Sequence, residues 1–117
     1  MEKIKVGVVG ATGYAGAEIC RLIYLHPAAE LAAISSVSFE GRALSDVYPA
    51  YRGLCDLVCG TQAEVVEKSD VIFAALPHGL SQDLAAECDA QGKAFIDLGA
   101  DFRLESQPGK GTRVRIF

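Results

Sequence analysis

Short apolar runs alternate with helical repeats along the first hundred residues of the chain. Ile4-Lys5-Val6-Gly7-Val8-Val9 is rich in β-branched residues and predicts a buried strand. A helical stretch follows to about Leu25, with Ala15, Ile19, Leu22 and Ile23 on one face and Glu18 and Arg21 off it. Pro27 cannot continue that helix. Glu30–Ser35 predicts a second strand, and Gln62–Lys68 a short helix. Between them, Phe39–Gly60 is rich in Gly, Pro and Tyr and predicts a long excursion with a short strand near Leu57. Asp70–Leu76 is almost unbroken in apolar residues, as in a strand covered on both faces. Ser81–Gln91 predicts a helix with Leu84, Ala85 and Cys88 inward, and Ala94–Leu98 another strand. After Leu104 the pattern stops: residues 106–111 are turn-like and Val114–Phe117 is too short to interpret. No repeat or low-complexity tract is visible.

The first strand runs into Gly10-Ala11-Thr12-Gly13-Tyr14-Ala15-Gly16, and this turn opens the first helix. A helix N-terminus presents unpaired N–H groups and a partial positive charge, which suit a pyrophosphate if the backbone can come close. Gly10 would allow the tight turn, Gly13 the close approach, and Gly16 the packing of helix on strand. Thr12 offers a hydroxyl to a phosphate oxygen. A strand before the turn, an amphipathic helix after it and a second strand about 20 residues on are the context this fingerprint requires. The chain therefore reads as α/β, a Rossmann-type doubly wound, mostly parallel sheet with helices on both faces. An NAD site usually places Asp or Glu at the end of the second strand, on the ribose 2′-OH. This chain has Ser35-Ser36-Val37-Ser38 there, with Arg42 near. Hydroxyls without a strand-end carboxylate favour a 2′-phosphate and hence NADP(H), although Glu40 argues the other way and serines also form turns.

Composition adds limits. The 117 residues are 50% hydrophobic and 22% charged, which describes one globular domain. The net charge is -4, with no basic stripe for nucleic acid. Residues 1–104 carry 14 acids and 8 bases, while the last 13 carry one acid and three bases. No apolar run approaches the ~20 residues of a membrane span. The N-terminus lacks the apolar segment of a signal peptide, so a cytoplasmic protein is expected. Of the four cysteines, Cys20 and Cys88 fall on apolar helix faces and are expected to be reduced core thiols.

With the glycine turn, two later segments carry a resemblance. Leu76-Pro77-His78-Gly79-Leu80-Ser81 and Asp97-Leu98-Gly99-Ala100-Asp101-Phe102-Arg103-Leu104 closely resemble segments of the N-acetyl-gamma-glutamyl-phosphate reductases of arginine biosynthesis. Residues 35–42 and Arg52-Gly53-Leu54 agree as well, and the resemblance spans residues 1–104. Aspartate-semialdehyde dehydrogenases share the glycine turn but differ at the other two segments. The resemblance implies a reaction in which a cysteine thiolate attacks the acyl phosphate, phosphate leaves, and NADPH reduces the thioester to the semialdehyde. It implies cofactor contacts at Gly10, Ala11, Thr12, Gly13, Tyr14, Gly16, Ser35, Ser36, Ser38, Arg42, Leu76, Pro77, His78 and Gly79. It also implies a homo-oligomeric enzyme whose substrate, N-acetyl-gamma-glutamyl phosphate, is held by a further domain. The family's cysteine lies in a Gly-Cys-Tyr-Pro-Thr-like segment, and no cysteine here precedes Tyr-Pro. No catalytic residue is therefore expected in this chain, which looks like the cofactor half of a two-domain enzyme. Gly99 stands where the family often has Ser, and residues 105–117 do not resemble the family. The expected division is 1–104 for the dinucleotide domain and 105–117 for a truncated or altered terminus.

Other readings weigh less. His78 is expected to line the cleft rather than act as a catalyst, and Asp101 and Arg103 to form a structural salt bridge. Cys55 and Cys59, with only His26 and His78 beside them in the composition, make a poor zinc site. A short-chain reductase needs Tyr-x-x-x-Lys, but Tyr14, Tyr24, Tyr48 and Tyr51 are followed at that spacing by Glu18, Ala28, Arg52 and Cys55. The alternatives kept are a stand-alone NAD(P)-binding or sensing module and a domain of an aspartate-semialdehyde-dehydrogenase-like enzyme.

Overall fold

A computed structural model describes residues 3–53, 55–76, 81–98, 103–107 and 111–115. Five parallel strands form the body of the sheet: β1 (Ile4–Val9), β2 (Ala29–Ser35), β3 (Cys59–Gly60), β4 (Val71–Ala74) and β5 (Ala94–Asp97). Two more, β6 (Arg103–Gln107) and β7 (Gly111–Arg115), extend it. The order across the sheet is β3-β2-β1-β4-β5-β7-β6, with β7 parallel to β5 and β6 antiparallel at the edge. The first five follow the doubly wound order, which reverses direction between β1 and β4 and leaves a crevice there.

Among the described residues, four α-helices flank the sheet: α1 (Tyr14–Leu25), α2 (Leu44–Val47), α3 (Gln62–Lys68) and α4 (Gln82–Ala90). Alternation along the strands divides the core in two. Val9, Ala33, Ile72 and Ala74 pack with Val65 and Val66 of α3 and Leu84 and Cys88 of α4. Val8 and Ile34 face the other way, onto Cys20 of α1, Leu44 of α2, Cys55 and Cys59. In β4, Ile72 and Ala74 join the first cluster while Phe73 packs against the second, which accounts for its unbroken apolar run.

The helix α3 spans the residues expected of it and begins at Thr61 as its N-cap, whose hydroxyl accepts from the Glu64 N–H. Leu84, Ala85 and Cys88 of α4 are buried as expected. The expected inner face of α1 holds at Gly16 and Cys20 and is wrong at Ala15 and Leu22. Gly16, Ala17 and Cys20 are its buried positions, Ile19 and Ile23 are half-buried, and Ala15 and Leu22 are exposed. Small residues point inward because the helix lies too close to the strand for large ones. The excursion also differs. It contains α2 and a 3-10 turn at Pro49–Tyr51, and its short strand is Cys59–Gly60, with Val58 bridging back to Ala43. Beyond Leu104, where no pattern was visible, residues 103–107 pair antiparallel with 111–115.

The close packing of α1 rests on Gly16, where a Cβ would overlap the Gly10 carbonyl oxygen and sit 2.9 Å from the Ala11 Cα. Helix propensity alone would favour Ala there by about 1 kcal/mol. Gly16→Ala is nevertheless expected to destabilise the chain by about 1–3 kcal/mol through overpacking, lowering Tm by at least several degrees. Gly13→Ala serves as control, since its nearest neighbour is the Gly10 carbonyl oxygen at 3.7 Å. Equal thermal unfolding of Gly16→Ala and the parent chain would contradict this packing.

Candidate dinucleotide site

The C-terminal ends of β1, β2 and β4 meet the start of α1 at one edge of the sheet. Gly10, with φ of 84°, turns the chain in a conformation that a side chain would strain, and a Cβ there would also overlap the Ala75 carbonyl oxygen. The Gly10 and Ala11 N–H groups both donate to the Ser35 carbonyl at 3.0 Å, which ties the turn to the end of β2. Neither donor is therefore free for a ligand, and Ala11 is fully buried. The donors left are those from Thr12 onward. Gly13 is the N-cap of α1; among the described residues no side chain caps this end, and no acidic residue lies in the first turn. Its N–H reaches the Gly10 carbonyl only at 3.3 Å. A helix start so exposed leaves its N–H groups and the positive end of its dipole to an anion.

Beside the turn, the Thr12 and Ser36 hydroxyls share a hydrogen bond of 2.6 Å, and the Ser36 hydroxyl also accepts from the Phe39 N–H at 3.2 Å. Two hydroxyls hold two protons and the shared bond uses one, so one remains for a ligand oxygen. The Ser35 side chain is 2% exposed, and its oxygen has no partner among the described residues. Ser38 is exposed, whereas Tyr14 is 91% exposed at the mouth of the turn.

Two adjoining cavities open at this edge, of about 610 and about 250 Å3, and share Gly10, Ser36, Val37 and Leu76. The larger adds Thr12, Gly13, Tyr14, Ser38 and Leu98; the smaller adds Ser35, Glu40, Thr61 and Gln62. Of the residues the sequence nominates, Gly10, Thr12, Gly13, Tyr14, Ser35, Ser36, Ser38 and Leu76 come together here, and Ala11 and Gly16 lie behind the turn as support. Arg42 is exposed and lines neither cavity. Pro77, His78 and Gly79, like Gly99 and Asp101, lie outside the described residues. A further cavity of about 480 Å3 sits at the opposite end of β2, among Lys3, Tyr24, Glu30, Leu31 and Asp56. It has no helix N-terminus beside it.

Two residues escaped the sequence reading. The Tyr48 hydroxyl donates to the Thr12 carbonyl at 2.6 Å, and the Tyr51 hydroxyl to the Ala17 carbonyl at 2.8 Å. Their only signal is a pair of tyrosines three apart in the excursion, which has no periodicity to orient them. Burial raises the Tyr51 phenol above its ordinary pKa, with the Glu18 carboxylate adding to it.

A family model described as the semialdehyde dehydrogenase NAD-binding domain matches residues 5–113. The chain belongs to that family. It is 53% identical to N-acetyl-gamma-glutamyl-phosphate reductases of Clostridium beijerinckii and Clostridium botulinum, each over 104 residues. These matches take in 89% of the chain but 30% of each relative, so the chain spans about a third of their length. Among solved structures, it superposes on an aspartate semialdehyde dehydrogenase with NADP from Candida albicans, with a TM-score of 0.72 and 24% identity. That match covers 85% of this chain and 30% of the other, and shows the shared fold. Among the described residues, no helix is long and apolar enough to cross a membrane.

The thiols of this NAD-binding domain are placed for packing. All four cysteines are free and buried. Burial pushes every one of them above the ordinary thiol range, Cys88 to about 11, and the Cys55 and Cys59 thiols raise Cys20 further. A nucleophilic cysteine needs the opposite, an exposed thiolate. At pH 8 the folded chain should therefore react only slowly with a thiol-specific disulfide reagent, and the denatured chain should release all four thiols at once. Rapid reaction of even one in the folded protein would contradict this placement.

Proposed function

We propose that this chain is the cofactor-binding part of an NADPH-dependent reductase that converts N-acetyl-gamma-glutamyl phosphate to N-acetylglutamate semialdehyde. The observation that carries the reading is the uncapped start of α1 at the crevice between β1 and β4, fronted by a glycine that leaves space. The 53% identity to proteins of that name supports the substrate assignment. The residues fit a dinucleotide on two further counts. A Cβ at Gly13 would meet nothing nearer than the Gly10 carbonyl oxygen at 3.7 Å, so glycine leaves that space open, and the orphaned Ser35 hydroxyl borders the cleft.

On this reading, the N–H groups of Thr12, Gly13, Tyr14 and Ala15 hold the pyrophosphate, with Gly10, Ala11 and Gly16 shaping the turn. The spare proton of the Thr12–Ser36 pair goes to a phosphate oxygen. Ser38 takes the ribose 2′-phosphate beside Ser36, with Arg42 supplying charge at longer range. Leu76 lines the cleft, and the resemblance assigns Pro77, His78 and Gly79 to the same cofactor. When bound, NADPH supplies the hydride. The acyl-accepting thiol comes from outside the described residues, consistent with the buried state of the four cysteines here. Residues 1–104 are the dinucleotide domain proper, with 105–117 a divergent continuation. The resemblance also supports a cytoplasmic, homo-oligomeric enzyme of arginine biosynthesis. A sensing module without chemistry would use the same cleft, and identity to reductases favours the enzyme.

Calorimetric titration tests the reading. A charge-assisted hydrogen bond contributes about 1.5–3 kcal/mol, so NADPH should bind roughly tenfold to a hundredfold tighter than NADH. Ser38→Asp, which places a carboxylate beside the 2′-phosphate, should erase most of that preference. Gly13→Val should nearly abolish binding of both while leaving the fold intact. Equal affinities in the parent chain would leave the serines as turn formers, and unchanged binding by a folded Gly13→Val would put the phosphates elsewhere.

A further inference from the structure

The excursion between β2 and β3 is built to hold one hydroxyl against the glycine turn. Its base is stapled: the Gly41 N–H donates to the Cys59 carbonyl, the Cys59 N–H to Arg42, and the Leu44 N–H to Leu57. On this base α2 ends at Tyr48, whose N–H donates to the Leu44 carbonyl and whose own carbonyl accepts from the Tyr51 N–H. The two tyrosine rings pack with centroids 5.7 Å apart, against the core cluster of Cys20, Ile34 and Leu44. The Tyr48 hydroxyl then meets the Thr12 carbonyl at 2.6 Å, a residue 36 positions away in the chain.

That carbonyl belongs to the Thr12–Gly13 peptide. In a planar trans peptide the C=O and N–H point in opposite directions, so a hydrogen bond on one side fixes where the other points. A hydrogen bond accepted by the carbonyl also polarises the amide and makes its N–H a stronger donor. The Gly13 N–H makes only a long 3.3 Å contact with the Gly10 carbonyl, which leaves room for a ligand oxygen on the same side to share that N–H as a second acceptor.

We propose that Tyr48 is a positioning residue for the anion site at the start of α1, where its hydroxyl orients and polarises the Gly13 N–H toward a pyrophosphate. The inference rests on the dinucleotide reading of the cleft. Its partner, Tyr51, donates its hydroxyl instead to the Ala17 carbonyl, inside the first turns of α1 and one residue beyond the glycine turn. Tyr48 therefore serves ligand binding, and Tyr51 serves the packing of the helix.

The test compares two probes on the full chain: NADPH, which carries a pyrophosphate, and adenosine 2′-monophosphate, which carries none, the second measured by competition. Tyr48→Phe should weaken NADPH roughly fivefold, the scale of one neutral hydrogen bond, and leave adenosine 2′-monophosphate within about twofold. Tyr51→Phe should lower Tm while changing neither affinity. An unchanged NADPH affinity in Tyr48→Phe, or an equal loss for both probes, would overturn the proposal. A parent chain that binds neither probe would instead overturn the dinucleotide reading, and the inference with it. Should Tyr48→Phe unfold, the parent chain still decides: NADPH should move the Gly13 amide proton downfield, and an unmoved resonance in the bound state would refute the role.

Discussion

The approach of α1 to the end of β1 governs the rest of this molecule. At Gly16 the helix comes so near the Gly10 carbonyl that no side chain fits between them. That contact brings the start of the helix to the edge of the sheet rather than out over solvent. Its first turn then lies at the crevice where strand order reverses, with no side chain among the described residues to cap it. Small buried residues, Gly16, Ala17 and Cys20, follow from the same distance, as does the exposure of Leu22 and Leu25 on the far side.

The turn is held from two other directions. The Ser35 carbonyl accepts both the Gly10 and the Ala11 N–H, so the end of β2 fixes the first half of the turn. Tyr48 and the Ser36 hydroxyl hold Thr12 at its carbonyl and side chain. This arrangement separates residues that shape the turn from those that have donors to spare. It also couples the two halves of the cleft, since Ser36 borders both cavities while bonded to the turn. Glu40 lines the smaller cavity and is the one acidic side chain among its described lining, so its position bears on the choice between a ribose hydroxyl and a 2′-phosphate.

Much of this was legible in the sequence, for identifiable reasons. The glycine turn carries its own geometric demands, and the strand before it and the helix after it have clear periodicity. Leu84, Ala85 and Cys88 repeat at helical spacing. Leu22 was placed inward because hydrophobicity favours it, whereas the close packing that Gly16 allows selects for small residues such as Ala17. The excursion was opaque because four- and three-residue helices have no periodicity, and Tyr48 finds its partner 36 residues away. The edge hairpin was missed because Arg103, Glu105, Arg113 and Arg115 give its strands no apolar signature, and its order comes from pairing with β5. At the site, sequence assembled the lining but not the bonding: that the Ala11 N–H is committed to Ser35, and that Arg42 stands apart from both cavities, are facts of the fold.

The central claim is that a dinucleotide lies along this edge with its pyrophosphate on the start of α1. Hydrogen–deuterium exchange with and without NADPH tests it most directly, because backbone donors that engage phosphate exchange more slowly. Protection should concentrate in residues 12–16 and 36–40. Protection centred instead on residues 24–31 and 55–57, around the cavity at the opposite end of β2, would contradict the account.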